Sequence, residues 1–149
     1  MRSPEEIAWS YMGTPFGHQG RKPGELLDCA GVLICIAREL QLCAPDFDVV
    51  NYAQQPDKTS IHDACDKYLI PVRRSEMAPS CVVTMEWDRW PQHLGIIGRY
   101  PSNPDLLCVI HAFARQGETD ARVTYHRLAP HIQSCIKRVY KFPEVAWQH

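Results

Sequence analysis

The chain has 149 residues, 45% of them hydrophobic and 22% charged, with a formal net charge of −1. That is the balance of one ordinary soluble domain, large enough for a single core and too small for two. No block of like charges and no stretch of about eighteen apolar residues appears, which speaks against a nucleic-acid-binding domain and against a membrane span.

The N-terminus, Met1-Arg2-Ser3-Pro4-Glu5-Glu6-Ile7-Ala8-Trp9, lacks the basic and apolar regions of a signal peptide. The chain is therefore expected to be made and folded in the cytosol unless another machine exports it. Ser3 suits a helix N-cap, Pro4 the first helical position, and Glu5 and Glu6 the positive end of the dipole, so a helix is predicted over Ser3–Met12. Gly13–Gly24 is rich in Gly and Pro and reads as a long loop of the kind that carries function. A second helix is predicted over Asp28–Leu42, where Val32, Leu33, Ile36 and Leu40 form an apolar stripe and Asp28 is the N-cap. A third covers Ser60–Tyr68, with Ser60 and Asp63 at capping-box-like spacing.

After Pro79 the pattern changes to strands: Cys81–Trp87, His93–Gly98, Leu106–Phe113 and Cys135–Phe142, with a shorter one near Arg122–Tyr125. Asp88–Gln92 and Tyr100–Asp105 read as turn-like connections. Helices followed by a meander of strands make an α+β domain with an antiparallel sheet, a single unit over residues 1–149.

Seven cysteines, an odd number without a secretion signal, point to reduced thiols. No C-x-x-C pair is present and no metal site is expected. Cys35, Cys43, Cys65, Cys81, Cys108 and Cys135 read as core residues. Cys29 differs. In the first turn of a helix, free N–H groups and the dipole favour a thiolate, and the loop before it lets a substrate approach. Taken alone it reads rather as a buried first-turn cysteine.

A thiolate needs an imidazole partner, which needs an orienting group. His93 and His111 stand at the edge or end of apolar strand-like runs, where an imidazole is costly unless hydrogen-bonded. On neighbouring strands they can satisfy each other; singly, each reads as a core or edge histidine. His62, His126, His131 and His149 lie in polar contexts and are expected to be exposed. His18, in the loop before Cys29, can line a cleft.

Gly13-Thr14-Pro15-Phe16-Gly17-His18-Gln19-Gly20 followed by Asp28-Cys29-Ala30-Gly31 resembles the NlpC/P60 cysteine peptidases, most of all their phage-encoded, tail-associated cell-wall branch. His93-Leu94-Gly95-Ile96 and Ile110-His111-Ala112 are similar to two further elements of that family, and Val139–Pro143 to its closing strand. The resemblance implies a papain-like fold with N-terminal helices packed on an antiparallel sheet. It also implies a peptidoglycan endopeptidase acting on the stem peptide, at a bond of the D-glutamate/diaminopimelate type, often the one after D-glutamate. Cys29 would be the nucleophile, His93 the general base and His111 the residue that orients it. The Cys29 N–H would help hold the oxyanion. No metal or organic cofactor is implied. The partners would be a peptidoglycan peptide and phage tail proteins that supply targeting.

One position departs. Phe16 stands where the family carries a tyrosine whose hydroxyl assists the oxyanion. Tyr11 or His18 would have to compensate, with Asp28 also lining the cleft. Ala30 stands where serine is common. Phe16 leaves open a tail-assembly protein with a decayed site. An acyltransferase-type member of the superfamily ranks lowest, because such members bring a membrane-anchoring helix or another order of Cys and His.

Overall fold

A computed structural model describes residues 2–49, 60–87, 90–113 and 121–147. Helix α1 (Pro4–Ser10) begins as the sequence predicts. The Ser3 hydroxyl accepts from the Glu6 N–H (3.1 Å) and the Glu6 carboxylate accepts from the Ser3 N–H (3.2 Å), satisfying two donors at the helix start. Glu5 is buried. Its carboxylate accepts from the Arg99 N–H (2.6 Å) and the Trp9 indole N–H (3.3 Å), and pairs with the Arg99 guanidinium. These bonds offset the cost of a buried charge and clamp α1 onto the sheet.

The predicted loop after α1 carries a small hairpin, β1 (Arg21–Lys22) and β2 (Leu26–Leu27). Gly24 turns it at φ +85, in the left-handed region that glycine tolerates best. Helix α2 (Cys29–Glu39) follows directly and ends before the predicted Leu42, with Leu40 as its C-cap. Every residue from Ala30 to Ala37 is buried, so α2 is a core helix rather than a striped surface one. Helix α3 (Ser60–Tyr68) has the predicted bounds.

Among the described residues, six antiparallel strands form the main sheet: β3 (Ile70–Val72), β4 (Val82–Trp87), β5 (Trp90–Tyr100), β6 (Asn103–Phe113), β7 (Arg122–Arg127) and β8 (Ile136–Lys141). Their order is β3-β8-β4-β5-β6-β7. The predicted meander is β4 to β7. A short helix, α4 (Pro130–Gln133), then leads into β8, which returns between β3 and β4. Residues 90–92 and 103–105, expected as connections, belong to strands, and residues 88 and 89 lie outside the described residues. The β5–β6 turn shrinks to Pro101-Ser102, between the paired Tyr100 and Asn103. Asn103–Asp105 escape sequence detection because that end of β6 is exposed and needs no apolar alternation.

The sheet buries both faces. Val82, Leu94, Ile96, Ile110 and Tyr140 pack against α1, α2 and α3. Val83, Met85, Ile97, Val109, Phe113 and Val139 form a second core with Leu128 and with Ile132 of α4. This is the expected α+β arrangement of helices on an antiparallel sheet. Glu5→Ala removes the clamp and leaves its donors without an acceptor. It should lower unfolding free energy by about 3 kcal/mol. An equilibrium urea curve measures it, and a loss within about 0.5 kcal/mol, typical of a surface position, would contradict the clamp.

Candidate active site

Cys29 is the first residue of α2, and its position is set by its neighbour. The Asp28 carboxylate accepts from the Gly31 N–H (2.7 Å), the Gln19 N–H (2.7 Å) and the Arg21 guanidinium (3.0 Å). The His18 ring stands 4.0 Å from the same carboxylate. One buried side chain thus caps the helix and ties the preceding loop to it. Gly31 completes the fit: a Cβ there would lie 2.1 Å from the Gly20 carbonyl oxygen, so the loop can rest on the first turn only over a glycine. The Asp-Cys-x-Gly pattern therefore has a local structural cause.

Cys29 is half-buried as a residue, but protein packs closely around its sulfur. Burial pushes the thiol up to about 12, and the Asp28 carboxylate pushes the same way. Main-chain hydrogen bonds from Leu94, Ala30 and Cys29 itself favour the thiolate without prevailing. The helix start was expected to lower this pKa. Desolvation outweighs it in the unliganded protein.

The Leu94 contact brings the sulfur to a particular place in the sheet. Among the described residues, the β5–β6 register starts at Ile96↔Ile110, and residues 93–95 have no register pair in β6. Here β5 is held by β4, through Met85↔His93 and Thr84↔Leu94. Strand alternation puts Leu94 on the α2 face and His93, with Ile97, on the other. Cys29 therefore meets the sheet from the helix side at the peptide next to His93.

On the far face the imidazoles are joined. His93 Nε2 lies 2.7 Å from His111 Nδ1, and His111 Nε2 lies 2.8 Å from His126 Nδ1. Phe113 stacks on His111 and meets His93 and His126 edge-on. Gly95 permits the approach, since a Cβ there would stand 2.4 Å from a Val109 methyl and 3.6 Å from the His111 Cβ. Burial, with the like charge of His126, lowers His93 to about 4. Burial first, and then His93 and His126, hold His111 well below its ordinary value. The Cys29 thiol and the His93 and His111 imidazoles are thus held neutral.

His93 and His111 are brought together as the sequence suggests. His126 corrects it. Expected to be exposed, it is half-buried and bonded to His111. The polar run Arg122-Val123-Thr124-Tyr125-His126-Arg127 reads as a solvated edge. Only the register Val109↔His126 and His111↔Thr124 puts His126 beside His111. His62 is likewise half-buried, with its ring 2.9 Å from the Thr84 hydroxyl. His131 is exposed, and His149 lies outside the described residues.

The cleft residues divide. Tyr11 is a correction: it is buried, with its hydroxyl 3.5 Å from Glu39. Glu39 is at the far end of α2 from Cys29, about 15 Å away at 1.5 Å per residue. His18 and Asp28 adjoin the start of α2, where Asp28 is committed to capping. Phe16 is half-buried and bridges to Leu27, two residues before Cys29. All seven cysteines are free. Cys35, Cys65, Cys81 and Cys108 are buried, and Cys43 and Cys135 are half-buried. Among the described residues, no helix is long and apolar enough to cross a membrane.

No family profile and no curated protein matches the sequence. Solved structures do match the fold. One is a lipoprotein-like NLP/P60 family protein from Staphylococcus aureus subsp. aureus Mu50, with TM-score 0.56, 14% identity, and coverage of 98% of this chain and 41% of that one. The chain thus spans about two fifths of that relative's length. Another is the NlpC/p60 domain of the peptidoglycan hydrolase SagA, with TM-score 0.55, 14% identity, and coverage of 94% and 97%. The chain has the papain-like α+β fold of NlpC/P60 proteins.

The lowered histidines make stability depend on pH. Above about pH 6.5 they are neutral in folded and unfolded chains alike. Below it the unfolded chain binds protons that folded His93 refuses until about pH 4. Stability should therefore fall as pH drops through that window, by up to about 1.4 kcal/mol per pH unit for each such histidine. Urea midpoints at pH 7.5 and 5.0 should differ accordingly, and His111→Phe should flatten the slope. Equal wild-type midpoints would contradict neutral burial.

Proposed function

We propose that this protein is a cysteine endopeptidase of peptidoglycan stem peptides, with Cys29 as nucleophile, His93 as general base and His111 as its orienting partner. One observation carries the reading: the His93–His111 hydrogen bond of 2.7 Å adjoins the Leu94 peptide, whose N–H meets the Cys29 sulfur. The fold shared with a peptidoglycan hydrolase domain supports the substrate class.

The neutral resting pair sets the mechanism. His93 uses Nε2 toward His111; its other ring nitrogen, Nδ1, is the one we assign to take the thiol proton. As the scissile carbonyl arrives, Nδ1 takes the S–H proton while sulfur attacks carbon. The tetrahedral oxyanion is held by the Cys29 N–H. His93 then protonates the departing amine, and water, activated by the same imidazole, hydrolyses the thioester. A bound peptide also displaces water, which strengthens each of these interactions. The bond after D-glutamate, as in diaminopimelate-type stems, and delivery to the wall by a phage tail or similar machine are the finer parts of this proposal. They rest on the order and wording of the motifs.

Phe16 favours a second reading, a tail-assembly protein of the same fold without hydrolysis, because an apolar ring donates nothing to an oxyanion. Digestion of purified peptidoglycan, followed by mass analysis of the released peptides, decides between them. Wild type should release stem fragments, Cys29→Ala none, and His93→Ala at least 10²-fold fewer. Phe16→Tyr should raise kcat by about tenfold or more, as a restored oxyanion donor does. No wild-type product across several stem chemistries would sink the peptidase.

A further inference from the structure

We infer that His126 is a positioning residue for Cys29, the outer end of a three-imidazole relay that takes up the positive charge when the thiol gives its proton to His93. This rests on the proposed pairing of Cys29 with His93. The relay itself stands on geometry: two ring-to-ring contacts of 2.7 and 2.8 Å run from His93 through His111 to His126.

Each contact needs one N–H donor and one bare nitrogen. A neutral thiol donates, so His93 must present a bare Nδ1 and carry its proton on Nε2. His93 then donates to His111 Nδ1, and His111 donates from Nε2 to His126 Nδ1. This direction satisfies both ring-to-ring contacts with one proton per ring. The opposite direction puts a proton on His93 Nδ1 and leaves it no capacity as a base.

The same chain answers a difficulty at the buried end. His93 is 5% exposed and His111 0%, so an imidazolium at either is strongly disfavoured. His126 is half-buried, nearer water. When the thiol proton reaches His93 Nδ1, the Nε2 proton of His93 passes to His111 Nδ1, and the Nε2 proton of His111 passes to His126 Nδ1. Sulfur loses one proton, His126 gains one, and His93 and His111 end neutral with their tautomers exchanged. His93 now carries the proton on Nδ1, ready for the leaving amine. The reverse shift follows its departure.

Alkylation of Cys29 by iodoacetamide tests this without a peptide substrate, because it too requires thiol deprotonation. Labelling is followed site by site by mass spectrometry at pH 7.5, with Cys43 as the internal reference. His126→Asn keeps an acceptor near Nδ1 but holds no proton; His126→Phe keeps neither. Both should slow Cys29 labelling at least tenfold and leave Cys43 unchanged. Normal labelling in both variants overturns the relay. So does rescue by Asn, which would reduce His126 to a hydrogen-bond acceptor. If His126→Phe does not fold, as judged by its urea curve, the Asn variant decides alone. Wild-type Cys29 labelling no faster than Cys43 would instead sink the nucleophile reading, and the relay with it. Loss of peptidoglycan cleavage with normal labelling kinetics would be a failure of the substrate alone.

Discussion

The Asp28 carboxylate takes hydrogen bonds from the loop, through Gln19 and Arg21, and from the helix, through Gly31. Without that capped junction the hairpin β1–β2 would not lie on the first turn of α2, and Cys29 would not be aimed at the sheet. The arrangement has an electrostatic side effect. A negative charge one residue away opposes a thiolate, adding to the effect of burial. The group that places the sulfur also helps to keep it protonated.

The histidine that we propose as the proton acceptor lies on the opposite face of the sheet. The ladder between β5 and β6 stops short of His93, and the Leu94 N–H, next to that histidine, reaches the sulfur there. A regular ladder would have spent this N–H on a neighbouring strand. Ending it early gives the sulfur its only cross-sheet hydrogen-bond donor among those that favour its thiolate. It also lets α2 and the imidazole cluster work on one peptide from two sides. Gly95 serves the same end, since a larger residue would press β6 and His111 away.

Features governed by neighbours in sequence are legible in the sequence itself. The Ser3 capping box, the Asp28 cap, the bounds of α3 and the apolar centres of β4, β5, β6 and β8 depend on local chemistry. Cys29, His93 and His111 emerged because their surroundings were unusual for their types and fell into a familiar motif order. What failed needed register or helical phase over long range. His126 sits in a strand that looks fully polar, and only pairing with β6 turns its ring toward His111. Tyr11 seemed near Cys29 in sequence, yet it packs beside the far end of α2. The thiol pKa was misjudged for a different reason: a helix start is visible in sequence, whereas the desolvation that overrides it depends on packing from Leu94 and its surroundings.

Phe16 can be understood within the same balance. Its backbone bridges to Leu27 and donates to the Ala121 carbonyl, and its ring packs with the core beside the start of α2. Under the proposed function, an apolar ring at this position leaves an oxyanion to main-chain donors such as the Cys29 N–H. Burial favours the thiol, and alkylating agents and oxidants react with the thiolate. Under the same proposal, attack on any electrophile therefore waits on transfer of the thiol proton to the imidazoles, with or without a peptide in the site.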